Sequence, residues 1–327
     1  MRRLAAWLPL AASIAAMASE ISIEEWDVPT ENSRPHDPAV APDGALWFTE
    51  QRANKLGRLD PRTGQMKEFP LRTPGSGPHG LVADREGNIW FTAISKGYVG
   101  KLDPKTGSVK EYPTLDPRAR DPHTPVFDQR GRLWFTLEQS NFIGRLDPRS
   151  GEMRLAEVPT QEAEPYGIVV TAQGVPYFCE FGSNKLASVD PESMTIAEYP
   201  LPDGARPRRL AVARDGSIFY SDYARGQLGR FNPASRKVEE WPSPGGAGAR
   251  PYGIAVTPDG TVWFSESGIE PNTLVRFDPR TKKFSSTPIP SGGGVVRNMV
   301  ATADGKVYLA ESGVNKVAIV HPSVVAR

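Results

Sequence analysis

Apolar and polar positions alternate along this chain in short runs, and no sustained helical period follows the N-terminal segment. Within the first copy of a repeated pattern, the runs predicted as strands cover 39–41, 46–50, 55–60 and 65–69. Asp43-Gly44 is a tight-turn signal between the first two runs, and Asp60-Pro61 marks the turn before the fourth. Val, Ile, Leu and aromatic residues dominate the runs. The pattern therefore predicts units of four short antiparallel strands.

The same unit recurs along the chain at a nearly constant interval. The recurring pattern, with variations from copy to copy, is Pro-His/aromatic-Gly, an apolar run, Asp-Gly, Trp-Phe-Thr-Glu, a polar turn, Gly-Arg-Leu-Asp-Pro and a final Glu-aromatic-Pro. The residues at the His position, called index residues below, are His36, His79, His123, Tyr166, Arg208, Tyr252 and Arg297. Repetition at this period with four strands per copy predicts an all-β, seven-bladed β-propeller of four-stranded antiparallel blades.

The two ends of the chain predict how the ring closes. The last copy stops near 317–322 without its Glu-aromatic-Pro strand, whereas 23–29 carries a spare one that resembles 238–242. We therefore expect residues 21–28 to form the outer strand of the last blade, which pairs both open edges. The tryptophans at one repeat position are expected to pack between blades; they are Trp47, Trp90, Trp134 and Trp263.

The N-terminal segment has the features of a secretory signal peptide. Arg2 and Arg3 precede an apolar run over 4–15, and 16–18 fits the small-x-small cleavage rule. We expect a signal peptide over 1–18, a propeller over 19–327 and a periplasmic or secreted protein; the alternative is an uncleaved N-terminal anchor. No later stretch is apolar enough to predict a membrane span.

Composition narrows the function classes. Lys+Arg 39 against Asp+Glu 38 gives no global basic field, so nucleic acid is not expected as a partner. One cysteine excludes a disulfide framework and a cysteine-cluster metal site within the chain. That residue, Cys179, lies in a predicted strand and is expected to be buried and inert. The expected assembly is a monomer.

The order of the strands in a blade predicts which face of the propeller carries the functional residues. The index residue lies at the start of the innermost strand, as His36 does. After one hairpin, the chain reaches the same face again at the end of the second strand, as at Glu50. We call the second of these places the return position and expect both at one mouth of the central channel. Five of the seven return positions are acidic. We expect a small-molecule ligand at this mouth, bound by Arg208, Tyr252 and Arg297. The alternative is that such strand-end acids only accept hydrogen bonds from neighbouring loops.

One pair of acids differs from the others. Glu164 lies shortly before the index residue Tyr166, and Glu180 occupies the return position of the same copy, a combination that no other blade has. Two carboxylates completed by water suit Mg²⁺ or Ca²⁺, and His123 of the preceding blade would face them. Two solvated acids without a metal are the alternative.

The repeated Pro-His-Gly, Ile-Trp-Phe-Thr and Gly-Arg-Leu-Asp-Pro motifs resemble the virginiamycin B lyase (streptogramin lyase) family over essentially all of 19–327. The resemblance implies a seven-bladed propeller and Mg²⁺-dependent elimination at the ester linkage of a type B streptogramin, a cyclic depsipeptide. It also implies Glu164 and Glu180 as metal ligands and His123 as a further histidine of the site. The general-base histidine of the family corresponds here to Tyr166.

These observations leave two functions open, and a third fits less well. One is a Mg²⁺-assisted carbon–oxygen lyase, with His123 as base and Tyr166 as a substrate-orienting hydroxyl. The other is a non-catalytic exported propeller that binds a small anionic ligand or a protein, which the tyrosine at the base position favours. A six-bladed lactonase is the third, but its blade count differs.

Overall fold

A computed structural model describes residues 21–322, and the expected signal peptide lies outside them. The described residues form seven four-stranded antiparallel sheets, each a blade. The all-β, seven-bladed propeller expected from the repeat is confirmed. Within residues 21–322, no helix is long and apolar enough to cross a bilayer.

The first strand of the chain, β1, covers Ser22–Asp27. The remaining strands are β2 Pro35–Val40, β3 Leu46–Glu50, β4 Lys55–Asp60, β5 Gln65–Pro70 (blade I); β6 Pro78–Ala83, β7 Ile89–Ala93, β8 Tyr98–Leu102, β9 Val109–Pro113 (blade II); β10 Pro122–Phe127, β11 Leu133–Leu137, β12 Phe142–Leu146, β13 Met153–Glu157 (blade III); β14 Pro165–Val170, β15 Pro176–Glu180, β16 Lys185–Val189, β17 Ile196–Pro200 (blade IV); β18 Pro207–Val212, β19 Ile218–Asp222, β20 Gln227–Asn232, β21 Lys237–Pro242 (blade V); β22 Pro251–Val256, β23 Val262–Glu266, β24 Thr273–Asp278, β25 Lys283–Pro288 (blade VI); β26 Val296–Ala301, β27 Val307–Glu311, β28 Lys316–His321 (blade VII).

The ring closes as the two chain ends predict. Strand β1 pairs antiparallel with β28, from Ser22 opposite His321 to Asp27 opposite Lys316. It supplies the outer strand of blade VII, whose order is β1-β28-β27-β26. Asn315 adds side-chain bonds to the carbonyls of Val28 and Thr30. The start and the end of the chain are thereby held in one sheet.

The innermost strand of each blade begins earlier than the apolar pattern predicts. In blade I it covers Pro35–Val40, whereas the predicted run was 39–41. Pro35 pairs with Glu50 and Pro38 with Phe48, so two residues lie opposite Thr49 alone. Such a β-bulge inserts one extra residue and bends the strand. Proline is tolerated here because the innermost strand is an edge strand.

A side chain on the second strand of six blades links each blade to its neighbour, in what we call the interblade bridge. Thr49 Oγ1 accepts from the N–H of Asp37 (3.1 Å) and donates to the carbonyl of His79 in blade II (2.9 Å). The bridging residues are Thr49, Thr92, Thr136, Cys179, Ser221 and Ser265. Blade VII has Ala310 there, and the nearby Ser312 hydroxyl donates to the carbonyl of Pro35 instead (2.6 Å).

Aromatic residues fill the spaces within and between blades. Trp47 belongs to one buried cluster together with Leu56 and with Phe91 of blade II. Glycines on the third strands accommodate ring faces. A Cβ at Gly144 would lie 2.2 Å from the Phe135 ring, so only glycine fits. The tryptophans at the repeat position are all 3 % exposed or less, as expected for interblade packing.

Candidate functional site at the channel mouth

Each bulge lies where an index residue enters the innermost strand, at one mouth of the central channel. The rings of the index residues of blades I to IV contact one another in sequence, each tilted against the next. His36 and His79 have ring centroids 3.8 Å apart, His79 and His123 3.9 Å, and His123 and Tyr166 4.2 Å. Across the channel, the hydroxyl of Tyr166 bonds that of Tyr252. All five rings are buried, so the index residues form a continuous lining.

The residues that follow the index residues bridge the channel. Arg209 of blade V donates to Asp37 of blade I (3.0 Å) and to Thr124 of blade III (3.1 Å). Asn298 of blade VII donates to the other carboxylate oxygen of Asp37 (3.0 Å). A buried arginine and a buried aspartate therefore join opposite sides of the ring. The bridge connects blades I, III, V and VII.

The pKa of each of the three buried histidines lies well below the ordinary value of an imidazole. Burial is the main cause that lowers the pKa of His123 well below its ordinary value, and His79 and Arg209 lower it further. Burial and Arg297 do the same for the pKa of His36. A neutral imidazole keeps a free nitrogen that can accept a hydrogen bond or a proton.

One triad at the mouth has the residue types of a metal site. His36, Asp37 and His79 offer ligand atoms that all lie within 4.8 Å of one another. Asp37 already accepts from Arg209 and Asn298, however, and the positive charge of Arg209 opposes a second cation. We therefore treat the triad as part of the bridge.

The acids at the return positions end their strands on the mouth side, but their carboxylates lie under the loops. All of them are 1 % exposed or less. Glu266, for example, accepts from the N–H of Gly245 (2.6 Å), and Glu180 accepts from the Ser183 hydroxyl (2.8 Å). Burial raises the pKa of Glu180 to about 7, and Glu198 and Lys185 are its neighbouring charges.

The same environment recurs in other blades. Glu50 of blade I has a pKa raised to about 7 by burial, with Glu68 and Lys55 beside it. In both Glu180 and Glu50, a buried carboxylate oxygen has no hydrogen-bond partner in the described part of the chain. The surroundings of Glu180 are thus a feature of the repeat. As donors for Mg²⁺, Glu164 and Glu180 fit poorly as a pair, because the carboxylate of Glu180 faces Ser183 and the outer strands.

The residue directly after the return position faces the mouth. Glu138 of blade III shows this directly, since its Oε2 lies 3.3 Å from Nε2 of His123. The equivalent Phe181 lies against Tyr166, and Tyr223 lies against Arg208. These side chains are half-buried, whereas their predecessors are fully buried. The alternation of a strand moves consecutive side chains to opposite sides.

Glu138 has the electrostatics of a proton-transfer group. Burial and, to a smaller extent, the carboxylate of Glu164 raise its pKa to about 7. Arg208 and Arg209 act in the opposite direction. The Glu138 side chain is 18 % exposed, whereas His123 behind it is 1 % exposed. Glu138 is therefore the member of the pair that a ligand at the mouth can touch.

Residues just before the index positions form the rim. Arg34, Glu164 and Arg250 all adopt positive φ there, between 49° and 58°. This left-handed conformation is uncommon for residues other than glycine. The rim charge is divided: Glu164 lies beside Glu138, whereas Arg34 lies near Arg297 on the other side of the ring.

Arg208 lies among four aromatic rings. Its Cζ is 3.9 Å from the ring centroid of Tyr252, 4.4 Å from that of Tyr223, 4.6 Å from that of Phe181 and 4.9 Å from that of Tyr166. Its Nη2 also donates to the Tyr166 hydroxyl (3.4 Å). Stacking on this scale fixes the guanidinium.

The structure brings together most of the residues predicted for the site. His123, Tyr166, Arg208 and Tyr252 lie in direct contact, and Arg297 lies over Tyr252 with its Cζ 5.9 Å from the ring centroid. Glu164 lies near Glu138, which in turn contacts His123, whereas the carboxylate of Glu180 faces Ser183. Sequence reasoning missed Glu138 and Arg34. Strand alternation would have pointed to Glu138; no sequence signal marks the positive φ of Arg34.

The fold and the mouth define a seven-bladed propeller with a candidate ligand site at one end of its channel. A family model for the virginiamycin B lyase family matches residues 5–276, and the chain belongs to that family. Among curated proteins, none matches it significantly.

Solved structures agree on the fold. A streptogramin B lyase structure superposes with a TM-score of 0.84 at 25% identity, covering 92% of this chain and 97% of that one. Virginiamycin B lyase from Staphylococcus aureus gives 0.84 at 23% identity, covering 93% and 100%. Hydrazine synthase from Kuenenia stuttgartiensis gives 0.75 at 16% identity, covering 91% and 98%. The last match is named as a hydrazine synthase, so this fold also occurs in a protein that is not named as a lyase.

Proposed function

We propose that this protein is a carbon–oxygen lyase that opens a cyclic ester, of the depsipeptide or lactone type, by elimination at the channel mouth. Family membership supports the reaction class. A structure of a catalytically inactive histidine-to-alanine variant of the Staphylococcus aureus enzyme with quinupristin supports the substrate class for that relative. The observation that carries the proposal is Glu138, an acid at the mouth with a pKa raised to about 7.

Glu138 is proposed as the general base. The ideal pKa of such a group lies near the working pH, and a pKa of about 7 satisfies this. His123 lies 3.3 Å behind it and acts as a positioning residue. The Nδ1 atom of His123 forms a hydrogen bond with Thr124 Oγ1 (2.8 Å), so the ring is held in place.

Tyr166 is proposed to orient the substrate indirectly, by holding Arg208 and Tyr252, because its own side chain is buried. Burial and the nearby Tyr252 raise the pKa of its hydroxyl, so it stays protonated at neutral pH and is a poor base. The hydroxyl already bonds to Tyr252 and Arg208. The tyrosine thus fits a role as hydrogen-bond donor or scaffold, and the base function passes to the neighbouring blade.

A Mg²⁺ ion at Glu164 and Glu180 stays an untested prediction that the direction of the Glu180 carboxylate disfavours, and no step above depends on it. When bound, such an ion would polarise a substrate carbonyl. Its test is the Mg²⁺-dependent rise in melting temperature of wild type, Glu164→Gln, Glu180→Gln and Glu50→Gln. The Glu50 variant is the matched control, because its environment resembles that of Glu180. A rise lost in both Glu164→Gln and Glu180→Gln, but kept in Glu50→Gln, would support the pair; any other pattern would contradict it.

The lyase is tested with the purified protein, Mg²⁺ and a cyclic type B streptogramin, followed by mass spectrometry. We expect turnover by the wild type, a loss of at least about 100-fold in Glu138→Gln, consistent with removal of a general base, and a rate that increases up to about pH 7. Glu86→Gln, on an exposed turn at the other face, is the control. Turnover by Glu138→Gln at the wild-type rate would exclude the assigned base.

The second candidate is a non-catalytic propeller that binds a small anionic ligand or a protein at the same mouth. Tyr166 favours it, because a protonated tyrosine stands where the family has its base. Ligand binding without turnover of any cyclic ester would support it. Under either function we propose an exported monomer, periplasmic or secreted, without nucleic acid as a partner. Cell fractionation and size-exclusion chromatography test the location and the oligomeric state.

A further inference from the structure

Three half-buried arginines on one side of the mouth, Arg34, Arg208 and Arg297, form what we call the basic arc. They come from blades I, V and VII. None of them takes part in any ion pair within residues 21–322. The buried Arg209 directly beside them, by contrast, is paired with Asp37 at 3.0 Å. Arginines that are partly withdrawn from water and lack a carboxylate partner call for an explanation.

Two guanidinium groups of the arc, those of Arg208 and Arg297, lie against aromatic rings and not against an acidic acceptor. Four aromatic rings surround Arg208, and Arg297 lies over the Tyr252 ring that Arg208 also contacts. The Nε atoms of both arginines are buried and have no hydrogen-bond partner in the described part of the chain. A guanidinium is a planar fork of donors that matches a carboxylate with two parallel bonds. Apart from the bond from Arg208 to Tyr166, Arg208 and Arg297 thus keep donors that the described residues do not use.

Like charges crowd this side of the mouth. Burial lowers the pKa of Arg34, and Arg297 and Arg52 lower it further by repulsion. On the opposite side, Glu138 and Glu164 repel each other in the same way. Arg208 lies between the two groups, because it also lowers the pKa of Glu138, whereas Arg34 and Arg297 lie near each other. An anion bound between the arginines would relieve their repulsion.

We infer that the basic arc binds a carboxylate, and specifically the one that the ring-opening reaction releases. The inference rests on the proposed function. In that elimination, Glu138 takes the proton from the carbon that lies between an amide carbonyl and the carbon bearing the ester oxygen. The C–H electrons form the carbon–carbon double bond. The C–O bond then breaks, and its electron pair stays on the ester oxygen as a carboxylate. The negative charge develops on that oxygen, and the arc would supply donors to it.

The test is calorimetric titration of the folded protein with sodium hippurate, an aromatic N-acyl amino acid with a free carboxylate. Its neutral amide and inorganic phosphate are parallel probes. We expect hippurate to bind, the amide to bind at least tenfold more weakly, and affinity to decrease as salt is added. Arg297→Gln and Arg34→Gln should each weaken hippurate binding about tenfold or more, and Arg297→Lys should restore part of it.

Arg214→Gln is the matched control, because Arg214 lies on a turn at the other face of the propeller. It should bind hippurate as the wild type does. Melting curves confirm that each variant is folded. Equal binding of hippurate and its amide, tighter binding of phosphate than of hippurate, or wild-type affinity in both Arg34→Gln and Arg297→Gln would overturn the inference. The titration requires no turnover, so its result is separate from that of the lyase assay.

Discussion

Cys179 is expected to contribute to stability as a hydrogen-bonding group of the interblade bridge. Its Sγ accepts from the N–H of Gly167 (3.2 Å) and donates to the carbonyl of Arg208 in the next blade (2.9 Å). Burial raises the pKa of the thiol to about 12, so it stays protonated and able to donate. Five other blades use Thr or Ser at this position.

The magnitude follows from what Cys179→Ala leaves behind. One buried N–H and one buried carbonyl lose their partner, and leaving a buried group unsatisfied costs about 1–3 kcal/mol. Bonds to sulfur are weaker than bonds to oxygen, so we expect a loss of about 1–2 kcal/mol in the free energy of unfolding. Cys179→Ser keeps both bonds and should lie within about 0.5 kcal/mol of the wild type.

The assay is guanidinium unfolding followed by tryptophan fluorescence, with the midpoint and slope fitted for each variant. Thr136→Val, which removes the bridge between Thr124 and Tyr166, is a second test and should also lose about 1–3 kcal/mol. If Cys179→Ala were as stable as the wild type, or Cys179→Ser lost as much as the alanine variant, the bridge would not stabilise the ring.

Three further predictions concern the scaffold. Gly144→Ala should lose at least about 2 kcal/mol in denaturant unfolding, because its Cβ would lie 2.2 Å from the Phe135 ring, whereas Gly248→Ala meets no atom within 4 Å and should be nearly neutral. Deleting residues 21–28 should sharply lower the melting temperature, since it leaves β28 unpaired; an unchanged melt would contradict the closure. Burial raises the pKa of Glu311 from 4.5 to about 8, so the folded form holds its proton. The resulting stability is complete below about pH 4.5 and is lost as pH rises through about 8. Glu311→Gln should therefore lose less stability between pH 5 and 8, and parallel pH curves of melting temperature for the two proteins would refute this.

The repeat allowed the fold to be predicted from the sequence alone. Its period predicts the number of blades, and the spare strand at 23–29 predicts that β1 completes blade VII. The bounds of the innermost strands were harder to predict. Pro35, His36 and Asp37 have the composition of a loop, and only the bulge opposite Thr49 explains why they continue a strand.

Only part of the site could be predicted from the sequence, for two physical reasons. The acids at the end of the second strands dominate the pattern, but strand alternation turns Glu180 inward and Phe181 towards the mouth. In blade III the same alternation hides Leu137 and presents Glu138. Rim residues such as Arg34 reach the mouth through a positive φ, which depends on the loop and not on residue type.

The most direct test of the central claim is ring opening in oxygen-labelled water. The wild-type protein is incubated with a cyclic type B streptogramin, and the product mass is measured. Elimination gives a linear product with the mass of the substrate and no label, which the account predicts together with loss of turnover in Glu138→Gln. A product that gains labelled oxygen would indicate hydrolysis, and a substrate left intact by the wild type would contradict lyase activity at this mouth.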